Sequence, residues 1–414
     1  MFDKLFKRPS VLSRHENAPC KAERENYLRH CEQQGYAFST LLVFARELLW
    51  VALKLPNPAG GVTLKQVKVI AQEWTKRERY CRHEVNTRWT RMHFIQVVRS
   101  WLRFLGYWRE SEQSMPFAHL VEDFRIWMKN ERGLASQTID RRRGQLQQFL
   151  HWYSGRHSQI STVCLKDIDA FLASCGAKGN CRLSIRTMAS TLRAFFKYAA
   201  SQGWVSSSIA QGIRGPCVFA QEHLPWGPSW EDVRRLIASM ETDSAYDIRD
   251  KAMTMLLAIY GFRATEVSTL RFEDIDWEHN LISVSRAKLR GRQTYPLIPM
   301  IGNAIIRYIK EVRPPSSYRE IFLTLTPPLR PFTRAALYQV IKRRMMKLDI
   351  RRLPHLGPHS LRHACATHLI AEGFSLKEIG DHLGHRCSSA TRIYAKVDLP
   401  SLREVATFDV GGLI

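Results

Sequence analysis

Between Met115 and Ser206 the apolar residues recur at helical intervals. Phe117, Leu120, Val121, Phe124, Trp127 and Met128 form one stripe, and Ile139, Leu146, Phe149, Leu150 and Tyr153 form a second. Leu165, Ile168, Phe171 and Leu172 give a third, and Ile185, Met188, Leu192, Phe195, Phe196 and Ala199 a fourth. Spacing at i, i+3, i+4 and i+7 predicts four amphipathic helices that bury one face each. Gly133 separates the first two and Gly155 follows the second. The first hundred residues repeat the pattern in weaker form. Gly35 stands five residues before Thr40 as Gly133 does before Thr138, and VRSWLRFL (Val98–Leu105) matches LRAFFKYA (Leu192–Ala199) in its order of apolar and basic positions. Offsets of 98 and 94 residues between these pairs fit an internal duplication, with Pro56–Gly61 as a loop inside the first copy.

From Ser206 to Pro228 the text turns to Ser, Gly and Pro, which predicts an extended linker. Beyond it, helical spacing covers Trp230–Met240 and Arg249–Ile259. Two strand-like runs follow, Leu281–Ser285 and Thr294–Pro299, joined by a basic turn. Helices return after Ile301, around Thr333–Leu348 and from Ser360. The expected chain is multidomain, with α-helical N-terminal domains before an α-rich α+β domain that bears one small antiparallel sheet. Its expected parts are residues 1–113, 114–206, a linker at 207–228, and 229–414.

Charge changes this picture most. The 414 residues carry 62 Lys and Arg against 38 Asp and Glu, a formal +24. Basic and acidic residues number 20 and 11 in the first part, 13 and 6 in the second, and 29 and 21 in the remainder. A basic tail would concentrate the excess at one end. An even spread points to one long polyanion touched by every part, and a duplex is the simplest such partner. Arg141, Arg142, Arg143, Arg186 and Arg193 in the four-helix part, and Arg290 and Arg292 in the basic turn, are the candidate DNA contacts. No run approaches the ~18 apolar residues that span a bilayer, and the basic N-terminus lacks a signal peptide's apolar core. Nine scattered cysteines without a CxxC pair argue against a disulfide scaffold. The expectation is a cytoplasmic protein without a membrane partner.

Three clusters in the last 160 residues carry candidate chemistry: Tyr260–Asp276 with Arg263, the basic turn with Lys288, and the His-rich end with His359, Arg362, His385 and Tyr394. Attack on a phosphodiester places negative charge on the non-bridging oxygens, which planar guanidiniums match bidentately. Imidazoles add hydrogen bonds and move protons near neutral pH. A tyrosine hydroxyl can serve as a covalent nucleophile and a lysine can protonate a leaving oxygen. The His-x-x-Arg step from His359 to Arg362 sets both residues on one face at a helix N-terminus, where free N–H groups favour a phosphate.

Over residues 115–410 the sequence resembles the tyrosine recombinases, or phage integrases. GFRATEV (Gly261–Val267) is similar to the family's Gly-Leu-Arg box with Phe262 in the Leu position, HSLRH supplies His359 and Arg362, and LGH supplies His385, 23 residues beyond Arg362. Tyr394 follows nine residues later, and Lys288 stands eight residues before Pro296. The resemblance implies a core-binding four-helix domain, of the SAM-like kind, ahead of a catalytic domain. It implies that Tyr394 attacks the scissile phosphate to give a 3′-phosphotyrosine and a free 5′-hydroxyl. Arg263 and Arg362 would clamp the phosphate with His385, and Lys288 would protonate the leaving oxygen, with Arg290 and Arg292 as competitors for that role. His359 would assist proton transfer at Tyr394, oriented by Glu266. No cofactor and no metal is implied. The partner would be double-stranded DNA with specific recombination sites, and the enzyme would work as a homo-oligomer, dimer to tetramer, in integration, excision or transposition of a mobile element. The tail Ala395–Ile414, with Leu399, Leu402, Val405 and Ala406 at helical spacing, would dock on the next protomer.

Three other readings compete. A type IB topoisomerase shares the tyrosine ester but exchanges nothing between partners. A metallohydrolase could use His355, His359, His363, His368, His382 and His385 with Cys365 and Cys387, but the acidic ligands of such sites are missing. A non-catalytic DNA-binding relative would have lost the Tyr or an Arg, and here every position is filled.

Overall fold

The computed structural model describes residues 1–55, 57–81, 87–109, 117–219, 226–286, 291–350, 356–385 and 390–397. Helices α1 (Phe2–Leu5), α2 (Pro9–Glu16), α3 (Lys21–Gln33), α4 (Phe38–Lys54), α5 (Leu64–Cys81) and α6 (Thr87–Phe104) come first. Two short strands, β1 (Val62–Thr63) and β2 (Trp108–Arg109), flank α5 and α6 in sequence and pair in parallel. Then come α7 (Ala118–Asn130), α8 (Ser136–Ser154), α9 (Leu165–Ala177), α10 (Arg182–Ser201) and the short α11 (Ser207–Gly212). The last stretch holds α12 (Trp230–Ala238), α13 (Ala245–Ile259), α14 (Ala264–Ser268), β3 (Ile275–Asp276), β4 (Leu281–Arg286) and β5 (Gly291–Pro296). It closes with α15 (Pro299–Arg307), α16 (Arg334–Lys347), α17 (Pro358–Ala371), α18 (Leu376–Leu383) and a 3-10 turn over Arg392–Val397. Backbone proximity separates two compact units, one of residues 1–57, 74–105 and 223–414, the other of 58–73 and 106–222.

In the second unit the four apolar stripes become α7 to α10, and they meet in one core. Phe124, Leu146, Phe149, Leu192, Phe195 and Phe196 are fully buried there, and edge-to-face ring pairs such as Phe149–Phe196 fill it. Arg141 and Arg143 on α8 are exposed, whereas Arg142 is half-buried. The expected linker is not wholly extended. Ser206 caps α11 by accepting the Ser208 N–H at 3.4 Å, and Ile209 and Ala210 sink into the same core, so two apolar residues in a Ser-rich stretch outweigh its loop composition. Arg193 donates to the Ile213 carbonyl at 2.6 Å and Arg186 to the Val218 carbonyl at 3.1 Å. These two candidate DNA contacts therefore hold the chain that follows α11.

In the other unit, α3, α4 and α6 pack together through Tyr27, Leu28, Leu48, Val98, Trp101 and Leu102. The helix order α3 to α6 parallels that of α7 to α10, with Gly35 at φ +83° and Gly133 at φ +54° in matching turns. After residue 226, α13 runs through the core: Ala252, Met253, Met255, Leu256, Leu257 and Ala258 are all fully buried, against α15 and α17. The sheet is antiparallel in the order β3-β4-β5, with Ile282 opposite Tyr295 and Arg286 opposite Gly291. Strand β5 begins three residues before the predicted run because Gly291, Arg292 and Gln293 complete the ladder with β4, and β3 was too short to read from periodicity. No helix among the described residues is long and apolar enough to cross a membrane.

Candidate active site

Three chain reversals bring the candidate residues together. The first follows α13. Gly261 sits at φ +60°, and a Cβ there would lie 2.5 Å from Leu383 Cδ2, so a side chain would strain the turn and displace Leu383. Arg263 then caps α14. Its backbone N–H donates to Glu266 Oε2 at 2.7 Å and its Nη1 to Glu266 Oε1 at 2.8 Å, so the Glu at the third helical position accepts both from the residue that precedes the helix. The second is the N-terminus of α17, started by Pro358, which leaves Arg362 one turn in and 2 % exposed. The third is the end of α18, where Gly384 at φ +61° terminates the helix and delivers His385.

Arg362 ties the first and third reversals. It donates from Nη1 to the Gly261 carbonyl at 2.5 Å and from Nη2 to the Leu383 carbonyl at 2.6 Å. Arg263 Nη2 reaches the Gly384 carbonyl at 3.3 Å. Burial, then the charges of Arg263 and Arg286, push Arg362 down to about 10, still protonated at neutral pH. Three guanidiniums, of Arg263, Arg286 and Arg362, thus face one carboxylate, and the surplus positive charge suits a phosphodiester.

Tyr394, on the 3-10 turn, is 2 % exposed and packs with Cys365, Ala366, Ile379 and Leu383. Its hydroxyl lies 2.9 Å from His363 Nδ1, and the His385 ring lies parallel to it at 6.5 Å. Burial pushes the phenol up to about 12, against the pull of Arg362. His363 and His385 are both held down to about 4, chiefly by burial and then by neighbouring His and Arg charges. At neutral pH the phenol therefore faces an unprotonated His363, whose Nδ1 in the tautomer protonated at Nε2 accepts the phenol hydrogen. His385 Nδ1 is 2.7 Å from the Thr391 hydroxyl.

Two expected roles need correction. Glu266 does not orient His359: its two oxygens are taken by Arg263 and by Arg286 Nη1 at 2.7 Å. The imidazole against the Tyr394 hydroxyl is that of His363, while His359 is exposed and meets the His363 ring edge-on at 4.5 Å. Arg292 is paired with Asp274 at 2.5 Å. Lys288, Arg290, His355, Cys387 and the tail from 398 lie outside the described residues. Sequence reasoning missed Arg286, although it continues the inward-facing alternation of Ile282 and Val284. It saw His363 only as a metal ligand candidate.

The depressed histidines make stability depend on pH. Their folded pKa values of about 4 lie below the ordinary 6.5, so between those values the unfolded chain binds more protons, and stability falls as pH drops from 6.5 towards 4. Thermal melts from pH 7.5 to 5 should show a falling midpoint; a flat or rising midpoint would mean that these rings are not buried neutral.

The sequence matches the Phage integrase family over residues 229–399 and the N-terminal SAM-like domain of phage integrases over 121–203. The integrase/recombinase y4rA of Sinorhizobium fredii is 34 % identical over 288 residues, covering 69 % of each chain. The tyrosine recombinase XerD of Listeria monocytogenes is 28 % identical over 291 residues, covering 69 % of this chain and 96 % of its own. In fold, the chain is similar to the XerH site-specific recombinase crystallised on its palindromic difH substrate, with a TM-score of 0.55 and 20 % identity over 70 % of this chain and 84 % of that one. With the converging arginines, histidines and tyrosine, these likenesses have one reading: the chain belongs to the phage integrase family, the tyrosine recombinases.

Proposed function

We propose that this chain cuts and rejoins double-stranded DNA at specific sites with Tyr394 as nucleophile. The observation that carries the reading is the packing of Tyr394 beside His363 and His385, with Arg362 tying its own helix to the Gly261 turn and to the end of α18. The Tyr394 oxygen attacks the scissile phosphorus, its proton passing towards His363 Nδ1. Arg263, Arg362 and His385 take up the charge that develops on the non-bridging oxygens. The bond to the 5′-oxygen breaks, that oxygen takes a proton from Lys288, and a 3′-phosphotyrosine remains. A 5′-hydroxyl of the partner strand reverses the steps. One phosphoester replaces another, so the exchange needs no ATP. Arg141 and Arg143, exposed on α8, suit phosphate contacts that position the duplex. Residues 1–113 extend the grip on DNA, the active assembly is a dimer to tetramer in the cytoplasm, and the natural reaction moves a mobile element, as the relatives' integrase names suggest.

The test is a suicide substrate. Nicked duplexes carrying the ends of the encoding element are incubated with protein in EDTA without ATP, and denaturing gels are followed by peptide mapping. A covalent adduct on the Tyr394 peptide is expected. Tight binding without any adduct would favour a non-catalytic relative, and cleavage only on adding metal would sink the mechanism.

A further inference from the structure

Arg286 takes no part in the steps above, yet it is among the largest fully buried side chains, 1 % exposed. Strand β4 turns Ile282, Val284 and Arg286 to the same inner face, so a guanidinium ends a row of aliphatic side chains. Such a charge stays buried only if its donors are met, and all three nitrogens are. Nε donates to Gln293 Oε1 at 3.1 Å, Nη1 to Glu266 Oε2 at 2.7 Å, and Nη2 to the Tyr295 hydroxyl. Tyr295 in turn donates to the His382 carbonyl at 2.5 Å, and Gln293 Nε2 to the Asp381 carbonyl at 2.6 Å. A Cβ on Gly384 would fall 2.6 Å from both Arg286 Nε and Gln293 Oε1, so the chain before His385 closes directly over this group.

The shared partner is Glu266. Burial raises its pKa, but the Arg263 backbone N–H and the charges of Arg286 and Arg263 outweigh that, and the carboxyl is held below its ordinary range. Arg286 and the Arg263 backbone N–H share Oε2, leaving Oε1 to the Arg263 side chain. With Arg263 as its only cation, Glu266 would draw that guanidinium onto itself. A second, permanently buried cation offsets the carboxylate.

We propose that Arg286 is a positioning residue for the phosphate clamp: it pins and neutralises Glu266, so that Glu266 fixes Arg263 through its backbone N–H and Nη1 while the rest of that guanidinium, one-third exposed, stays open to the scissile phosphate. This rests on the functional reading above. It acts on the Arg263 side of the phosphate, distinct from protonation of the leaving oxygen by Lys288, two residues further along.

The experiment measures single-turnover cleavage and DNA affinity for wild type, Arg286→Lys, Glu266→Gln and the double variant. Each is assayed on an ordinary duplex and on one with a 5′-bridging sulfur, which leaves without protonation. Each single variant should slow cleavage by about 10- to 100-fold, the usual effect of removing a group that orients a reacting one, with DNA affinity within about twofold. The double variant should be no slower than the slower single one, since both changes break one connection, and the sulfur substrate should not restore the rate. Fully multiplying losses, rescue by sulfur, or a wild-type rate in Arg286→Lys would each overturn the inference. Should Arg286→Lys fail to fold, Tyr295→Phe removes only the hydroxyl that Nη2 reaches; several-fold slower cleavage at unchanged affinity is expected, and a wild-type rate would overturn the proposal. Absence of a Tyr394 adduct in the wild type is a separate result, which would overturn the functional reading itself.

Discussion

Tyr394→Phe protein should bind duplex DNA within about twofold of wild type and form no covalent adduct, with cleavage down by at least about 10⁴-fold, the scale seen when a nucleophile is deleted. The ring contacts with Cys365, Ala366, Ile379 and Leu383 survive the change, and only the hydroxyl on His363 is lost. One hydrogen bond is worth about 1 kcal/mol, so the melting midpoint should barely move. That contrast makes the variant informative, because unfolding cannot explain the missing adduct. Residual adduct in Tyr394→Phe would assign the nucleophile to another residue.

Arg362→Met should damage both stability and rate. The guanidinium is 2 % exposed and bridges the Gly261 and Leu383 carbonyls, so its removal leaves two buried acceptors unpaired and unlaces two chain reversals. Leaving a buried acceptor unpaired costs about 1–3 kcal/mol each, and losing a donor to the developing phosphate charge costs about 10²–10³-fold in rate. Arg362→Lys keeps the charge on a single ammonium that cannot span both carbonyls, and it should fall between wild type and Arg362→Met in urea melts and in single-turnover cleavage. Wild-type stability in Arg362→Met would mean that the bridge does not hold the reversals.

The legible parts of the chain were those where one physical signal dominates. The helices α7 to α10 followed from apolar spacing alone, because each stripe had to find the same core. Arg263, Arg362, His385 and Tyr394 were nameable because their residue types suit one chemistry and their intervals match those of the tyrosine recombinases that the sequence resembles. The errors arose where a residue answers to two demands. Glu266 was read as a support for His359, since sequence spacing does not show that β4 carries a guanidinium into the same space. Arg286 went unremarked, although its alternation with Ile282 and Val284 marked it as inward-facing. Ser207–Gly212 read as loop because Ser-rich composition conceals the burial of Ile209 and Ala210. His363 was overlooked as the partner of Tyr394 because the two residues stand 31 positions apart with no periodicity joining them.

Several acceptors around the arginines are main-chain oxygens: Gly261, Leu383 and Gly384 for Arg263 and Arg362, with His382 and Asp381 receiving Tyr295 and Gln293. A carbonyl presents the same atom whatever side chain its residue bears. The stretch from Asp381 to Gly384 is thus specified more by where it lies than by what it spells. Outside Gly384 and the buried Leu383, exchanges of side-chain type there preserve the hydrogen bonds, whereas inserting or deleting one residue between Ser375 and His385 moves every oxygen off its partner. Homologous sites can accordingly drift in spelling while keeping a fixed length from the α18 cap to the histidine, and it is in that count that the constraint on the site is recorded.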